Sequence, residues 1–164
     1  VNPLVAFVCG SDSDLPKLEA GLQILKDFGI PFEVRIISAH RTPEATVEFA
    51  KTAEERGLRV LVAVAGHAAH LGGVLASLTT LPVIGIPISS SALDGLDSLM
   101  STVQMPPGVP VASVGIDAAR NAAIFAAQIL GASDPAIREK IREFKRRQAE
   151  DVMAKDRRVR EQYS

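Results

Sequence analysis

The chain reads as an α/β protein: a three-layer, doubly wound parallel sheet with helices on both faces and an extended C-terminal helix. Three observations lead there. Short, continuous apolar runs recur along the chain, as parallel strands covered on both faces require. Between them lie segments with apolar residues at helical spacing, closed by Gly or Pro. Finally, residues Val60 to Leu93 contain no Asp, Glu, Lys or Arg, which suits the buried central layer of such a sheet.

The elements follow in order. Leu4 to Cys9 is the first apolar run and the first expected strand. Leu15, Leu18, Gly21, Leu22, Leu25 and Phe28 then mark a helix that stops at Gly29. The second strand is expected over Pro31 to Ile37. The second helix should start near Pro43, since proline suits the first turn, and end before Gly57. Arg59 to Ala65 reads as strand three, a short helix surrounds Leu75, and Pro82 to Pro87 reads as strand four. A short helix near Asp97 to Val103, strand five over Val109 to Val114, and a helix from Asp117 to Leu130 follow. The last helix is expected from about Asp134 into the tail, within a C-terminal segment 131–164. Five βα units with right-handed crossovers imply the strand order 2-1-3-4-5, flavodoxin-like. Ligands of such sheets bind at the carboxyl ends of the strands, at the switch point between strands one and three. The segments after Cys9, Ile37, Ala65 and Pro87 are therefore the expected active loops.

Composition bounds the function. At 164 residues, 47% hydrophobic and 23% charged, the chain is expected to form a single α/β domain over 1–164 rather than a disordered segment. Aromatics make up 4%, with no Trp and one Tyr. That argues against a stacking platform for nucleic acid, which needs exposed rings, and against a flavin site walled by aromatics. From Asp134 onward there are ten Lys or Arg against seven Asp or Glu. Their signs alternate, so a solvated helix is expected there rather than a nucleic-acid arm. Cys9 is the one cysteine; it lies in an apolar run and reads as a buried structural thiol. It also fits a reducing compartment, so a cytoplasmic protein is expected. No signal peptide is visible before the first strand. Gly66, Gly72, Gly73, Pro82, Gly85 and Pro87 cut the charge-free stretch into pieces too short to span a bilayer, so no membrane partner is expected.

The loops carry the chemistry. Gly10-Ser11-Asp12-Ser13-Asp14 can form an anion cradle at a helix start. Ser11 and Asp14 also stand at capping-box spacing, and capping alone would account for them. The run is neither a Walker loop nor a dinucleotide fingerprint, because the glycines are missing. Ser38-Ala39-His40-Arg41-Thr42-Pro43 sets a hydroxyl, an imidazole and a guanidinium side by side where ligands bind. Arg is the forked partner of phosphate and His the side chain suited to proton transfer near neutral pH. A capped helix start with a surface His and Arg is the plainer account. Ala65-Gly66-His67-Ala68-Ala69-His70-Leu71-Gly72-Gly73 lets backbone approach a small ligand. His67 and His70 have no acidic or thiol ligand beside them in sequence, so no metal site is expected.

These three runs, with Asp94-Gly95-Leu96-Asp97-Ser98-Leu99 and Val103-Gln104-Met105-Pro106-Pro107-Gly108-Val109-Pro110, resemble the N5-carboxyaminoimidazole ribonucleotide mutases of purine biosynthesis in order and spacing. The resemblance covers essentially all of residues 4 to 160. It implies an isomerase that moves a carboxylate from the exocyclic nitrogen to C4 of an aminoimidazole ribotide by release and recapture of CO2. By the same match His40 is the proton shuttle, and Ser11, Asp14 and Arg41 bind the ribotide. Ser38 and the backbone of Gly66, His67, Ala68 and Ala69 line the pocket, with His70 beside them. No metal, nucleotide or flavin cofactor is implied; the partners are the ribotide and CO2. Arg41-Thr42-Pro43 resembles the mutase form, whereas the related carboxylase that uses free CO2 typically has Lys after the His. That carboxylase, or a related ribotide-carboxylating enzyme, is the alternative within enzymes. A flavin carrier and a regulatory phosphate-binding module are the alternatives outside it. Two departures lie beside the CO2 pocket: His67 stands for a glycine of the family and Gly72 for a proline, and the His67 side chain is expected to point outward. The resemblance also implies a homo-octamer. Ile137, Ile141, Phe144 and Val152 recur at helical spacing in the tail, a stripe expected to pack on a neighbouring subunit.

Overall fold

The computed structural model describes residues 1–90 and 92–164. Five parallel strands form one sheet in the order β2-β1-β3-β4-β5, the expected arrangement. They are β1 (Val5–Cys9), β2 (Phe32–Ile36), β3 (Val60–Gly66), β4 (Val83–Ile88) and β5 (Ala112–Ser113). The helices are α1 (Leu15–Phe28), α2 (Pro43–Thr52), α3 (Leu71–Leu78), α4 (Leu96–Val103), α5 (Ala119–Gly131) and α6 (Pro135–Tyr163).

Alternation along the strands divides the core into two layers. Val5, Phe7 and Cys9 of β1, Val60, Val62 and Val64 of β3, and Ile84, Ile86 and Ile88 of β4 share one cluster with α1, α5 and α6. Ala6, Val8, Leu61, Ala63 and Ala65 face the other way, towards α2 and α3. The central strands are buried up to Gly66 at the end of β3, which is half-buried, whereas edge strand β2 is half-buried at Phe32 to Val34 and exposed at Arg35 and Ile36. Small residues bring α1 and α5 together. A Cβ on Gly21 would stand 2.5 Å from the Ala119 carbonyl oxygen, closer than any real side-chain carbon comes.

Two elements depart from their expected bounds. Strand five keeps two residues instead of six, because Pro110 brings no N–H to a ladder and one further bond, Val114 N–H to Gly85 O at 3.0 Å, closes the pairing. Helix α5 starts at Ala119 rather than Asp117, because Asp117 holds a φ of 55° and cannot be helical. At the C-terminal segment, Gly131 ends α5 and α6 begins at Pro135. Asp134 caps it, accepting from Ala136 N–H at 2.9 Å and Ile137 N–H at 3.2 Å.

The first half of α6 packs on its own sheet layer. Ile137 and Ile141 are buried, and the Phe144 ring meets Phe28 edge to face at 5.7 Å. Lys140 reaches back to the Phe28 carbonyl at 2.6 Å, closing the end of α1, where Gly29 takes the left-handed φ of a helix stop. Beyond it the stripe is bare: Val152, Met153, Val159 and Tyr163 are all more than half exposed. Of the stripe expected to face a neighbour, the near half is thus covered by its own sheet layer, and Val152 in the far half is exposed.

Candidate active site

The carboxyl ends of β1, β2, β3 and β4 surround a cavity of about 640 Å³. It lies at the switch point between β1 and β3, where the order of the sheet predicts ligands.

The loop after β1 supplies Gly10, Ser11, Ser13 and Asp14 to the wall. Asp12–Asp14 form one turn of 3-10 helix, and Ser11 caps it by accepting from Ser13 N–H at 3.3 Å. The capping box with Asp14 does not form. Asp14 makes no side-chain capping bond, which leaves its carboxylate to the cavity. Burial pushes that carboxyl above its ordinary range; Asp117 adds to the rise, and Lys17 and His67 oppose it. Behind the loop, burial and then the Asp14 charge push the Cys9 thiol up to about 12, so it is inert.

The loop after β2 is held by its own hydroxyls. Ser38 N–H donates to Thr42 Oγ1 at 3.0 Å, and Thr42 returns its hydroxyl to Ser38 O at 2.9 Å. Pro43 then opens α2. This tight turn places Ser38, Ala39, His40 and Arg41 on the wall. Arg41 donates through Nε to Ser38 Oγ at 3.2 Å and through Nη2 to Gly10 O at 2.6 Å. Two of its five N–H groups are engaged in this way, and the fork is fixed in direction with donors to spare.

The loop after β3 brings Gly66, His67 and Ala69 to the wall. His67 borders the cavity, close enough to Asp14 to lower its pKa, and is itself exposed. Its φ of 55° is left-handed, a region glycine enters freely and another residue holds at a cost of roughly 1–3 kcal/mol. Ala68 is exposed and is not part of the wall. His70 is not on the wall either; it touches the site through His40, Nδ1 to Nε2 at 3.4 Å, with the rings edge to face. Among the described residues no three His, Cys, Asp or Glu side chains gather as metal ligands, and no helix is long and apolar enough to cross a membrane.

The residues not singled out from sequence are Lys17, Ser89, Ser90 and Asp117. Lys17 joins Ser89 of the loop after β4 to Asp117 of the loop after β5. Asp117 loses some ease of ionising to desolvation. Its bonds from Ser89 and Lys17 outweigh that and hold its carboxyl below the ordinary range. The rule of strand ends points to the loop after Pro87 without distinguishing its serines. Nothing local marks Asp117.

The sequence model of the AIR carboxylase family matches residues 4–151. A curated relative from Pyrococcus horikoshii, named N5-carboxyaminoimidazole ribonucleotide mutase, is 57% identical over 160 residues, covering 98% of this chain and 90% of its own. A relative from Saccharomyces cerevisiae, named phosphoribosylaminoimidazole carboxylase, is 52% identical over 155 residues; these are 94% of this chain and 27% of that longer protein. The crystal structure of Treponema denticola PurE superposes with a TM-score of 0.86 at 30% identity, covering 95% of this chain and 98% of that one.

Proposed function

The chain belongs to the AIR carboxylase family, and from that premise we propose that it is an isomerase of purine biosynthesis. It interconverts N5-carboxyaminoimidazole ribonucleotide and 4-carboxy-5-aminoimidazole ribonucleotide. The observation that carries the reading is the pairing of His40 and Arg41 on one rigid turn at the cavity wall. A proton carrier and a phosphate-sized cation are thereby held next to each other at the switch point of the sheet.

The chemistry needs one imidazole. As the carbamate C–N bond breaks, its electron pair stays on the exocyclic nitrogen, which takes a proton from the His40 imidazolium. CO2 is released into the cavity. C4 then attacks CO2, forming the new C–C bond, and its hydrogen leaves as a proton to neutral His40. The imidazolium is restored and the atoms balance. Ala65, Ala69, Leu71 and Ile88 offer CO2 an apolar wall, which favours recapture over escape. Arg41 directs its free donors at the ribotide phosphate. Ser11, Ser38, Gly66, His67 and Ala69 surround the ribotide, and Asp14 faces its sugar hydroxyls rather than the phosphate, which it would repel. His70 supports His40 and touches the substrate only through it. The protein is a cytoplasmic homo-octamer in this reading, and the free apolar face of α6 at Val152, Met153 and Val159 is its contact with a neighbour.

Incubation with the N-carboxylated ribotide tests the proposal, by the appearance of the C-carboxylated product. A protein that ignores the carbamate but carboxylates the free ribotide with bicarbonate would instead be the CO2-using carboxylase. Light scattering reads the subunit number.

A further inference from the structure

Residues 67–70 alone connect β3, which ends at Gly66, to α3, which starts at Leu71. So short a crossing turns the chain sharply, and His67 takes the turn at a φ of 55°. Glycine enters that backbone freely, whereas histidine holds it under strain. The His67 carbonyl accepts from Ser101 Oγ at 3.5 Å, but among the described residues neither ring nitrogen has a hydrogen-bond partner. The residue is exposed at the rim of the cavity. A strained residue whose side chain does nothing for the fold points to a use at the site it borders.

The surroundings say what the ring can hold. Strands β1 and β3 are neighbours, with Gly10 N–H donating to Val64 O at 3.3 Å, so the loops that carry Asp14 and His67 leave the sheet side by side. Burial raises the Asp14 carboxyl, and Lys17 and then His67 act against it; the imidazole is within electrostatic reach of that carboxylate. Lys17 has no donor left for a ligand. Its three N–H groups go to Ser89 O at 3.0 Å, Ser89 Oγ at 2.7 Å and the Asp117 carboxylate at 3.3 Å. His67 keeps at least one ring N–H whatever its charge. Arg41 approaches β1 from its other side, from the loop after β2, and that is where a phosphate belongs. Beside Asp14 a phosphate would be repelled. A sugar diol suits the pair, because its hydroxyls donate to the carboxylate and accept from the ring N–H. We propose that His67 is a further substrate-binding residue, a specificity contact that reads the sugar hydroxyls of the ribotide together with Asp14. The inference rests on the ribotide reading of the cavity.

His67→Gly and His67→Ala test it as a pair, since both remove the ring and only glycine relieves the backbone. Each is titrated beside the wild type with the ribotide, ribose 5-phosphate and inorganic phosphate, and assayed by carbamate kinetics and thermal melting. In both variants the Kd for ribotide and for ribose 5-phosphate should rise about three- to tenfold, one hydrogen bond's worth. KM should rise to match, with kcat falling much less, and the Kd for inorganic phosphate should not move. His67→Gly alone should melt higher than the wild type, by about 2–4 °C. Unchanged ribotide affinity in both variants would overturn the proposal. So would a loss confined to His67→Gly, which traces the effect to loop flexibility, or an equal loss for inorganic phosphate, which moves His67 to the phosphate. A glycine variant that melts no higher than the wild type would remove the strain on which the inference stands. A wild type that binds no ribotide overturns the functional reading as well, whereas equal binding by wild type and both variants overturns only this inference.

Discussion

Ionisable side chains gather in two regions of this molecule, the cavity and the last helix, and density alone does not separate them. Asp14, Lys17, His40, Arg41 and His67 converge on the cavity from three separate stretches of chain. Along α6 the charges are neighbours in sequence and pair at helical spacing: Glu139 with Arg142, Glu143 with Arg146 and Arg147, Arg146 with Glu150, Asp156 with Arg160. The Arg146 and Arg147 bonds hold the Glu143 carboxyl down at about 2, yet the group lies at the surface of the helix, and water and salt screen its pairs. In the cavity burial dominates, pushing Asp14 the other way. The comparison teaches that a charge acquires chemistry where the fold confines it, and little where a helix merely lines it up.

The largest expected difference is at His40. His40→Asn should cost roughly 10²- to 10⁴-fold in kcat and leave ribotide binding largely intact, as steady-state kinetics and titration would read. Retention of more than about a tenth of the activity would remove the shuttle role.

Asp14 gives a smaller effect whose sign depends on pH. A carboxyl whose folded pKa is raised costs stability when charged, above that raised value. The cost is gone below the unfolded value of about 3.9, where both states are protonated. Asp14→Asn should therefore melt higher than the wild type at pH 7, the gap closing as pH falls towards 4, while kcat/KM drops at every pH. A lower melting temperature at pH 7 would mean that the carboxylate supports the fold.

Glu143 should give the least. Its depressed pKa places any contribution above about 4.5, lost as pH falls towards 2. Exposure reduces that contribution, so Glu143→Gln should shift the melting temperature by no more than about 1–2 °C at pH 7 and leave turnover unchanged. A marked loss of activity would make α6 part of the site and erase the contrast.

Much of this was written locally. The apolar runs at Val5 to Cys9 and Val60 to Ala65, punctuated by Gly and Pro, are enough to order the sheet, because parallel strands and right-handed crossovers leave few arrangements. His40 and Arg41 are adjacent in the chain, so their joint presence at a strand end is legible without a fold. At His67 the backbone takes a left-handed φ of 55°, which a histidine does not announce by itself.

What the sequence by itself determined was therefore the layered sheet, the loops that meet at its carboxyl edge, and the histidine and arginine that stand side by side on one of them. The tertiary structure alone decided that Asp14 turns to the cavity instead of capping a helix, and that the α6 stripe is half covered by its own domain. It also decided that Lys17 spends every donor on Ser89 and Asp117. Those partners stand 72 and 100 residues away along the chain, and contacts of that range depend on how the elements stack, which periodicity cannot encode.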